Sequence, residues 1–567
     1  MAEPVAKASH WRLNLGMGAS LAFAGLPLLY LAFSFFLPLA NVFFFGLRTE
    51  GRWTAENLRT VLSDPYVRHL FSFTAFQALL STLLSFVLGF PLGWFLTRYR
   101  FPGKSLARAF TLAPFVLPPI TVALGFFLFF GNTGYLNNAL RAAFGLREPP
   151  LRLLYSLWAI VLAHAFYNAP VFARFIHAAW SSLDPSLEEA CAVLGVSRPR
   201  AFFTVTLPLL LPAIFSAAAL VFVLCFLSFA IPLSLGGARF ATVEVGIYLY
   251  ARVYLDFSRA AALGLVQVLV TVGLAYFYVR GSGFFGGRQG RTRPVPTLRF
   301  PSRPAHLLWI LWLLLSAMVF LGPIASVVAD SFSRPLLGKP PGLGWYLSIF
   351  SPEQNPFIGT SPLGSILVSL EVAGLSTLLA LLLGLSVSGA LRVLRSRALE
   401  ALLMAPMAVS SVVLGLALLL AFRNPPFSHL PEKFSLVLAH GLMFYPFVVR
   451  IVRPLWEGLT PSWVEAARTL GASRARAFLT VEVPLLSQAL LVAGAFSLAL
   501  SLGEMTAAAM LSRGELVTIP LAIYRFLSAR RFGAASAMAS LLILITVAAV
   551  AVWEWIGARS LRAYGQA

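Results

Sequence analysis

The chain has 567 residues, of which 59% are hydrophobic and 11% are charged, and its mean hydropathy is +0.83. Soluble domains carry roughly 25% charged residues, so this composition excludes a soluble globular protein and indicates a polytopic membrane protein. In a soluble protein, the formal net charge of +22 would indicate a nucleic-acid partner. Here its placement in loops indicates membrane orientation instead, and we expect no nucleic-acid partner.

Apolar stretches long enough to cross about 30 Å of hydrocarbon as helices recur along the whole chain. Lipid offers the backbone no hydrogen-bonding partner, so we predict an all-α membrane protein. The first six predicted spans lie near 14–46, 72–97, 107–131, 155–178, 209–235 and 258–280. The second six lie near 305–330, 363–391, 398–422, 434–456, 485–511 and 534–556.

Basic residues follow particular spans and predict the orientation. They are Arg98, Arg100, Lys104 and Arg108, then Arg280, Arg288, Arg291, Arg293, Arg299 and Arg303, then Arg392, Arg395 and Arg397, and finally Arg559 and Arg562. With both termini in the cytoplasm, all of these clusters face inwards, as the positive-inside rule requires. Arg525, Arg530 and Arg531 fall outside in this topology and do not fit the rule.

A Gly-, Pro- and Arg-rich joint at 281–304 divides the chain. It lacks any apolar period, which is typical of a flexible linker. We therefore predict a first six-span domain at 1–280 and a second at 305–567. Because six is an even number, both halves have the same orientation, and the chain is a parallel repeat of the kind found in transporters.

Two polar segments, 184–208 and 460–484, closely resemble each other and lie 276 positions apart. In each, a Glu-Ala pair is followed by a glycine, Gly195 or Gly471, and later by a proline that we expect to open the next span. The pattern predicts a short helix, a glycine-led turn and a second helix. We call these segments the first and second islands.

The spacing in both islands resembles the EAA loop in the membrane subunits of ATP-binding-cassette importers. In that family the short helix docks on a cytosolic ATPase. The resemblance therefore implies an ATPase-coupling role for Glu189, Ala190, Gly195, Glu465, Ala466 and Gly471. The alternative is an amphipathic loop helix resting on lipid headgroups, which two copies at fixed spacing disfavour.

Three further segments, 159–174, 225–267 and 497–526, resemble the fused permeases for thiamine, and ferric-iron permeases share much of the same pattern. The resemblance implies the type I importer fold, with twelve helices in two parallel six-helix repeats in a bacterial inner membrane. It also implies two ATPase subunits at the islands and an extracytoplasmic solute-binding protein. Thiamine is the expected substrate and ferric iron the alternative.

No phosphate loop is recognisable in the chain. The nearest string, at Gly103 to Ser105, has Arg98 where the motif requires an earlier glycine. We expect no catalytic residues, no cofactor and no metal site in this chain, with ATP bound by the partner subunits. A transporter of a different class, a secondary transporter driven by an ion gradient, is the alternative, but it should carry more acidic groups in its spans.

Few polar groups interrupt the predicted spans. His164 and His440 occupy equivalent positions, and Asn168 follows the first of them. They either line the translocation path or form hydrogen bonds between helices. Glu504, in the outer half of the eleventh span, either attracts a cationic substrate or pairs with an outer arginine. Glu244, in a predicted outer loop, is a weaker candidate for contact with the binding protein.

Overall fold

The structure, a computed structural model, describes residues 25–49, 51–99, 104, 117–284, 303–332, 342–425, 427–514 and 516–564. The first half contains α1 Gly25–Gly46, β1 Arg48–Thr49, β2 Arg52–Trp53, α2 Glu56–Ser63, α3 Pro65–Arg98, α4 Pro119–Phe130, α5 Tyr135–Phe144, α6 Leu157–Ser181, α7 Ser186–Val193, α8 Arg198–Phe226, α9 Ala230–Leu235, α10 Val243–Tyr248 and α11 Phe257–Phe284. The two strands form a small antiparallel hairpin.

The second half has a similar order of long helices. It contains α12 Arg303–Ser331, α13 Gly344–Ile349, α14 Pro362–Leu394, α15 Arg397–Leu403, α16 Ser411–Ala421, α17 Glu432–Glu457, α18 Pro461–Thr469, α19 Arg474–Gly503, α20 Thr506–Leu511, α21 Ile519–Ser528 and α22 Phe532–Tyr564. The all-α membrane fold is therefore confirmed. Residues 285–302, most of the predicted linker, lie outside the described residues, and its first four positions belong to α11.

Ten helices within the described ranges are long and apolar enough to cross a membrane, against the twelve predicted. The predicted seventh span lies in α12, where the apolar helix counted among the described residues covers only Met318–Ser331. The predicted ninth span is broken into α15, a 3-10 turn at Ala405–Ala408 and α16. Pro406 lies in that turn, and the side chain of Ser410 caps α16 by accepting a hydrogen bond from Val413 N–H.

The fifth and eleventh spans begin and end earlier than predicted. Helices α8 and α19 start inside the islands, and each contains a π-turn immediately before the island proline, at Phe202–Thr206 and Phe478–Glu482. Each helix therefore begins before the island proline, and the proline lies in the first turn of the regular α-helical part that follows the π-turn, where its missing N–H costs no hydrogen bond. Each helix then ends before a short buried helix, α9 or α20.

Within each half, the second span packs along the fourth, α3 against α6 and α14 against α17. The third spans cross to the other half. Helix α4 packs against α12, α21 and α22, whereas α16 packs against α1, α10 and α11. Tyr30 of the first half donates a hydrogen bond of 3.0 Å to the carbonyl oxygen of Leu438 in the second. The halves therefore interlock through their first and third spans.

Two of the arginines that do not fit the charge rule have protein partners. The guanidinium of Arg525 donates to the carbonyl oxygen of Ile358, and Cζ of Arg531 lies 4.3 Å from the ring centroid of Phe357. A cation over an aromatic ring is attracted to the negative face of the ring. These contacts give the two arginines structural roles that do not depend on membrane orientation.

Candidate functional site

The two islands have the same backbone structure. Each short helix, α7 or α18, ends at a glycine with a left-handed backbone, φ +72° at Gly195 and +88° at Gly471. The next residue then donates a hydrogen bond back into the helix, 2.9 Å from Val196 N–H to the Cys191 oxygen and 3.0 Å from Ala472 N–H to the Ala467 oxygen. This is a Schellman cap in both copies, so the predicted glycine-led turn is confirmed.

The islands present exposed residues at one end of the bundle. All six predicted coupling residues are exposed, namely Glu189, Ala190, Gly195, Glu465, Ala466 and Gly471. Beside each turn stands a leucine at an equivalent position, Leu194 with 79% and Leu470 with 88% of its surface exposed. Large apolar side chains presented at a polar loop are typical of surfaces that contact another protein or a membrane.

His164 and Asn168 lie one turn apart on α6 and are both buried. Nδ1 of His164 is 3.1 Å from the Ser81 hydroxyl on α3. The side-chain amide of Asn168 donates to the backbone oxygen of His164 at 2.9 Å and to Sγ of Cys225, on α8, at 3.4 Å. The pair therefore connects three helices of the first half.

His440 and Glu504 meet in the second half. Nδ1 of His440 is 2.7 Å from the Ser501 hydroxyl, and Nε2 is 3.4 Å from Oε2 of Glu504. The carboxylate of Glu504 also accepts hydrogen bonds from the backbone N–H groups of Thr506, at 2.7 Å, and Ala507, at 2.9 Å. Glu504 thus follows the end of α19 and caps the start of α20.

The predicted position of Glu504 within the eleventh span is wrong, because α19 ends at Gly503. Among the described residues its ionisable partner is His440 and not an outer arginine. A helix that breaks inside a membrane exposes backbone N–H groups for which lipid offers no acceptor. The carboxylate of Glu504 supplies that acceptor and has His440 as its ionisable neighbour. Among the described residues, no hydrogen bond or ion pair joins the His440–Glu504 pair to His164 or Asn168.

Glu244 is fully buried, so its predicted place in an outer loop is wrong. Its carboxylate accepts hydrogen bonds from the side-chain amide of Gln267, at 2.9 Å, and from the hydroxyl of Ser410, at 3.1 Å. Ser410 belongs to the second half, so this acid links the two halves. The sequence did show a polar residue in each of two predicted spans, Gln267 and Ser410. Only the packing of the two halves brings both of them to Glu244.

The described residues contain no group of three or more His, Cys, Asp or Glu side chains that could hold a metal ion.

A family model described as "binding-protein-dependent transport system inner membrane component" matches the chain twice, at residues 89–280 and 376–562, which together make up more than half of it. The chain is 28% identical to the thiamine transport system permease protein of Brucella abortus, over 83% of this chain and 84% of that protein. It is 27% identical to the Escherichia coli protein of the same name, over 90% and 93%.

A ferric transport system permease protein of Actinobacillus pleuropneumoniae is 25% identical over 94% of this chain and 77% of that protein. Among solved structures, a bacterial transporter involved in the import of alginate matches with a TM-score of 0.39 and 17% identity, covering 47% of this chain and 96% of that chain.

Proposed function

The chain belongs to the family of binding-protein-dependent transport system inner membrane components, and we propose that it is the permease of a bacterial thiamine importer. Two family domains in one chain mean that both permease halves are fused. The observation that supports thiamine is the 27–28% identity to thiamine permeases over more than four fifths of the chain. Ferric iron is the alternative, supported by the 25% identity to a ferric permease.

In the proposed assembly, one ATPase subunit docks on each island, at 184–208 and 460–484. Glu189, Ala190, Gly195, Glu465, Ala466 and Gly471 contribute to these contacts, together with the exposed leucines beside the turns. ATP is bound and hydrolysed by the partner subunits, and this chain carries no cofactor. The islands and both termini face the cytoplasm, and an extracytoplasmic binding protein delivers substrate at the opposite end.

The helices that leave the islands support a mechanism of rigid-body coupling. Helix α8 runs from Arg198 to Phe226 and α19 from Arg474 to Gly503, each starting inside its island. A displacement of an island by the closing ATPase dimer therefore moves a helix that crosses most of the membrane. Because the third spans are shared between halves, such movements rock the halves against each other and open the path alternately.

We retain His164, Asn168, His440 and Glu504 as candidates for the path. Their burial supports this role, because polar side chains inside a membrane usually face a bundle interior or a water-filled cavity. Glu504 is the member of the set that carries an acidic group suited to a cation such as thiamine.

Uptake measurements test the substrate. In cells that cannot synthesise thiamine, deletion of this gene should abolish uptake of labelled thiamine at submicromolar concentration, and the plasmid-borne gene should restore it. Ferric iron uptake should not change. Intact thiamine uptake with loss of high-affinity ferric iron uptake would transfer the assignment to iron. Co-purification of the chain with an ATPase separates an ABC importer from an ion-driven transporter.

A further inference from the structure

At the end of the second span of each half, an arginine lies next to a tryptophan from the end of the fourth span. Cζ of Arg98 is 5.9 Å from the ring centroid of Trp180, and Cζ of Arg392 is 5.6 Å from that of Trp456. The two tryptophans occupy equivalent positions of the repeat, 276 residues apart. The same arginine–tryptophan contact therefore occurs at the base of both halves.

Each arginine also forms an ion pair, but the acid comes from a different element in each half. Nη1 of Arg98 is 2.8 Å from Oε2 of Glu188, on the island helix α7. Nη1 of Arg392 is 2.6 Å from Oε1 of Glu482, in the π-turn of α19. We call Arg98, Trp180 and Glu188 the first cluster, and Arg392, Trp456 and Glu482 the second cluster.

The two halves take the acid that pairs with the arginine from different positions of the repeat. The residue equivalent to Glu188 in the second island is Val464, and the residue equivalent to Glu482 in the first island is Thr206. In the first cluster, the hydroxyl of Thr206 lies 3.4 Å from Oε1 of Glu188. Each half thus has one acid beside its arginine. The first half supplies it from the island helix and the second from the π-turn.

These ion pairs are partly screened from water. The side chains of Arg98 and Glu188 are 19% and 33% exposed, and those of Arg392 and Glu482 are 18% and 13% exposed. Trp456 also donates a hydrogen bond of 3.0 Å from Nε1 to Glu482. Removing the acid would leave a cation in a partly buried position without its partner, which is more costly than losing an exposed surface pair.

We propose that Arg98 and Arg392 are positioning residues that fix the islands to the second span of each half, and that the acid serves equally from either position. The proposal rests on the coupling role proposed above for the islands. In the first half the ion pair holds the island helix itself, and in the second it holds the start of α19. Both arrangements fix the junction through which an island displaces the membrane helix that follows it.

Relocating the acid tests this proposal. Glu188→Val and Glu482→Thr should each lower ATP-driven uptake per ATP hydrolysed by about fivefold, as expected when one interaction of a coupled pair is lost. The double variants Glu188→Val/Thr206→Glu and Glu482→Thr/Val464→Glu give each half the arrangement of the other. Each should recover most of the coupling, which a purely local effect of the single substitution would not allow.

Arg397→Gln is the matched control, because it removes an exposed arginine five residues after Arg392, at the start of α15. It should leave uptake per ATP unchanged. The proposal is overturned if both single variants couple normally, or if neither relocation restores coupling. Co-purification of the unmodified chain with its ATPase is measured in parallel. Its absence would reject the importer assignment itself, whereas normal co-purification with unaffected single variants rejects only the positioning role.

Discussion

The hydroxyl of Ser410, in the second half, donates a hydrogen bond of 3.1 Å to the carboxylate of Glu244, in the first half. Gln267 donates to the other oxygen of the same carboxylate at 2.9 Å. Glu244 is fully buried, so this acid is held entirely by protein groups at the contact between the halves. Any movement that separates the halves at this point must break the bond to Ser410.

We expect Glu244→Ala to destabilise the purified protein more than Ser410→Ala. The first substitution leaves two buried donors without an acceptor, and each unsatisfied group costs about 1–3 kcal/mol. The second removes one donor and the hydroxyl that caps α16, a loss of about 1 kcal/mol, but it leaves the bond from Gln267 in place. Thermal aggregation of detergent-purified variants measures the order, with Glu244→Gln as the shape-preserving control. Equal stability of all three variants would contradict the described contacts.

The island glycines should tolerate asparagine and reject valine. Their left-handed φ values cost most other residues about 1–2 kcal/mol each, and a Cβ added at either position would contact nothing within 4 Å. Backbone conformation and not a clash therefore decides the outcome. We expect Gly195→Val/Gly471→Val to insert normally but to lose ATPase co-purification and uptake, while Gly195→Asn/Gly471→Asn keeps both. Normal uptake by the valine variant would reject the coupling assignment.

Glu504→Gln should assemble and transport more slowly than the unmodified protein. The amide keeps one oxygen to accept from the N–H groups that start α20, but it removes the charge beside His440. Glu504→Ala removes both acceptors and should destabilise the purified protein further, by about 1–3 kcal/mol. Initial rates of labelled thiamine uptake and thermal aggregation separate the two effects. Unchanged uptake in Glu504→Gln would remove this carboxylate from the path candidates.

Single cysteines test the proposed orientation. In a background with Cys191 and Cys225 replaced, Arg397→Cys should resist an impermeant thiol reagent in intact cells, because it lies at the island end. Ala139→Cys, which is also exposed but lies on α5 between the third and fourth spans, should label. Both should label in permeabilised membranes, which controls for reactivity. The opposite pattern in intact cells would invert the topology.

The sequence by itself determined the membrane class, most of the spans and the repeated islands. The hydropathy of each segment shows whether it can enter the membrane. The match between the two islands, 276 positions apart, can be recognised without knowing how the helices pack. The glycine turns were predictable for the same reason, since a helix followed by glycine forms its cap from neighbouring residues alone. These features are all local in the chain.

Only the tertiary structure decided how the halves interlock and which polar groups meet. Hydropathy does not distinguish a helix that faces lipid from a short helix buried in protein. The apolar helices α16 and α20 therefore appeared as parts of continuous ninth and eleventh spans. Glu244 meets Ser410 because α16 crosses into the first half, and Arg98 meets Glu188 because α3 ends beside an island helix. Such pairs join residues far apart in sequence, and their positions are fixed by helix packing that no local pattern records.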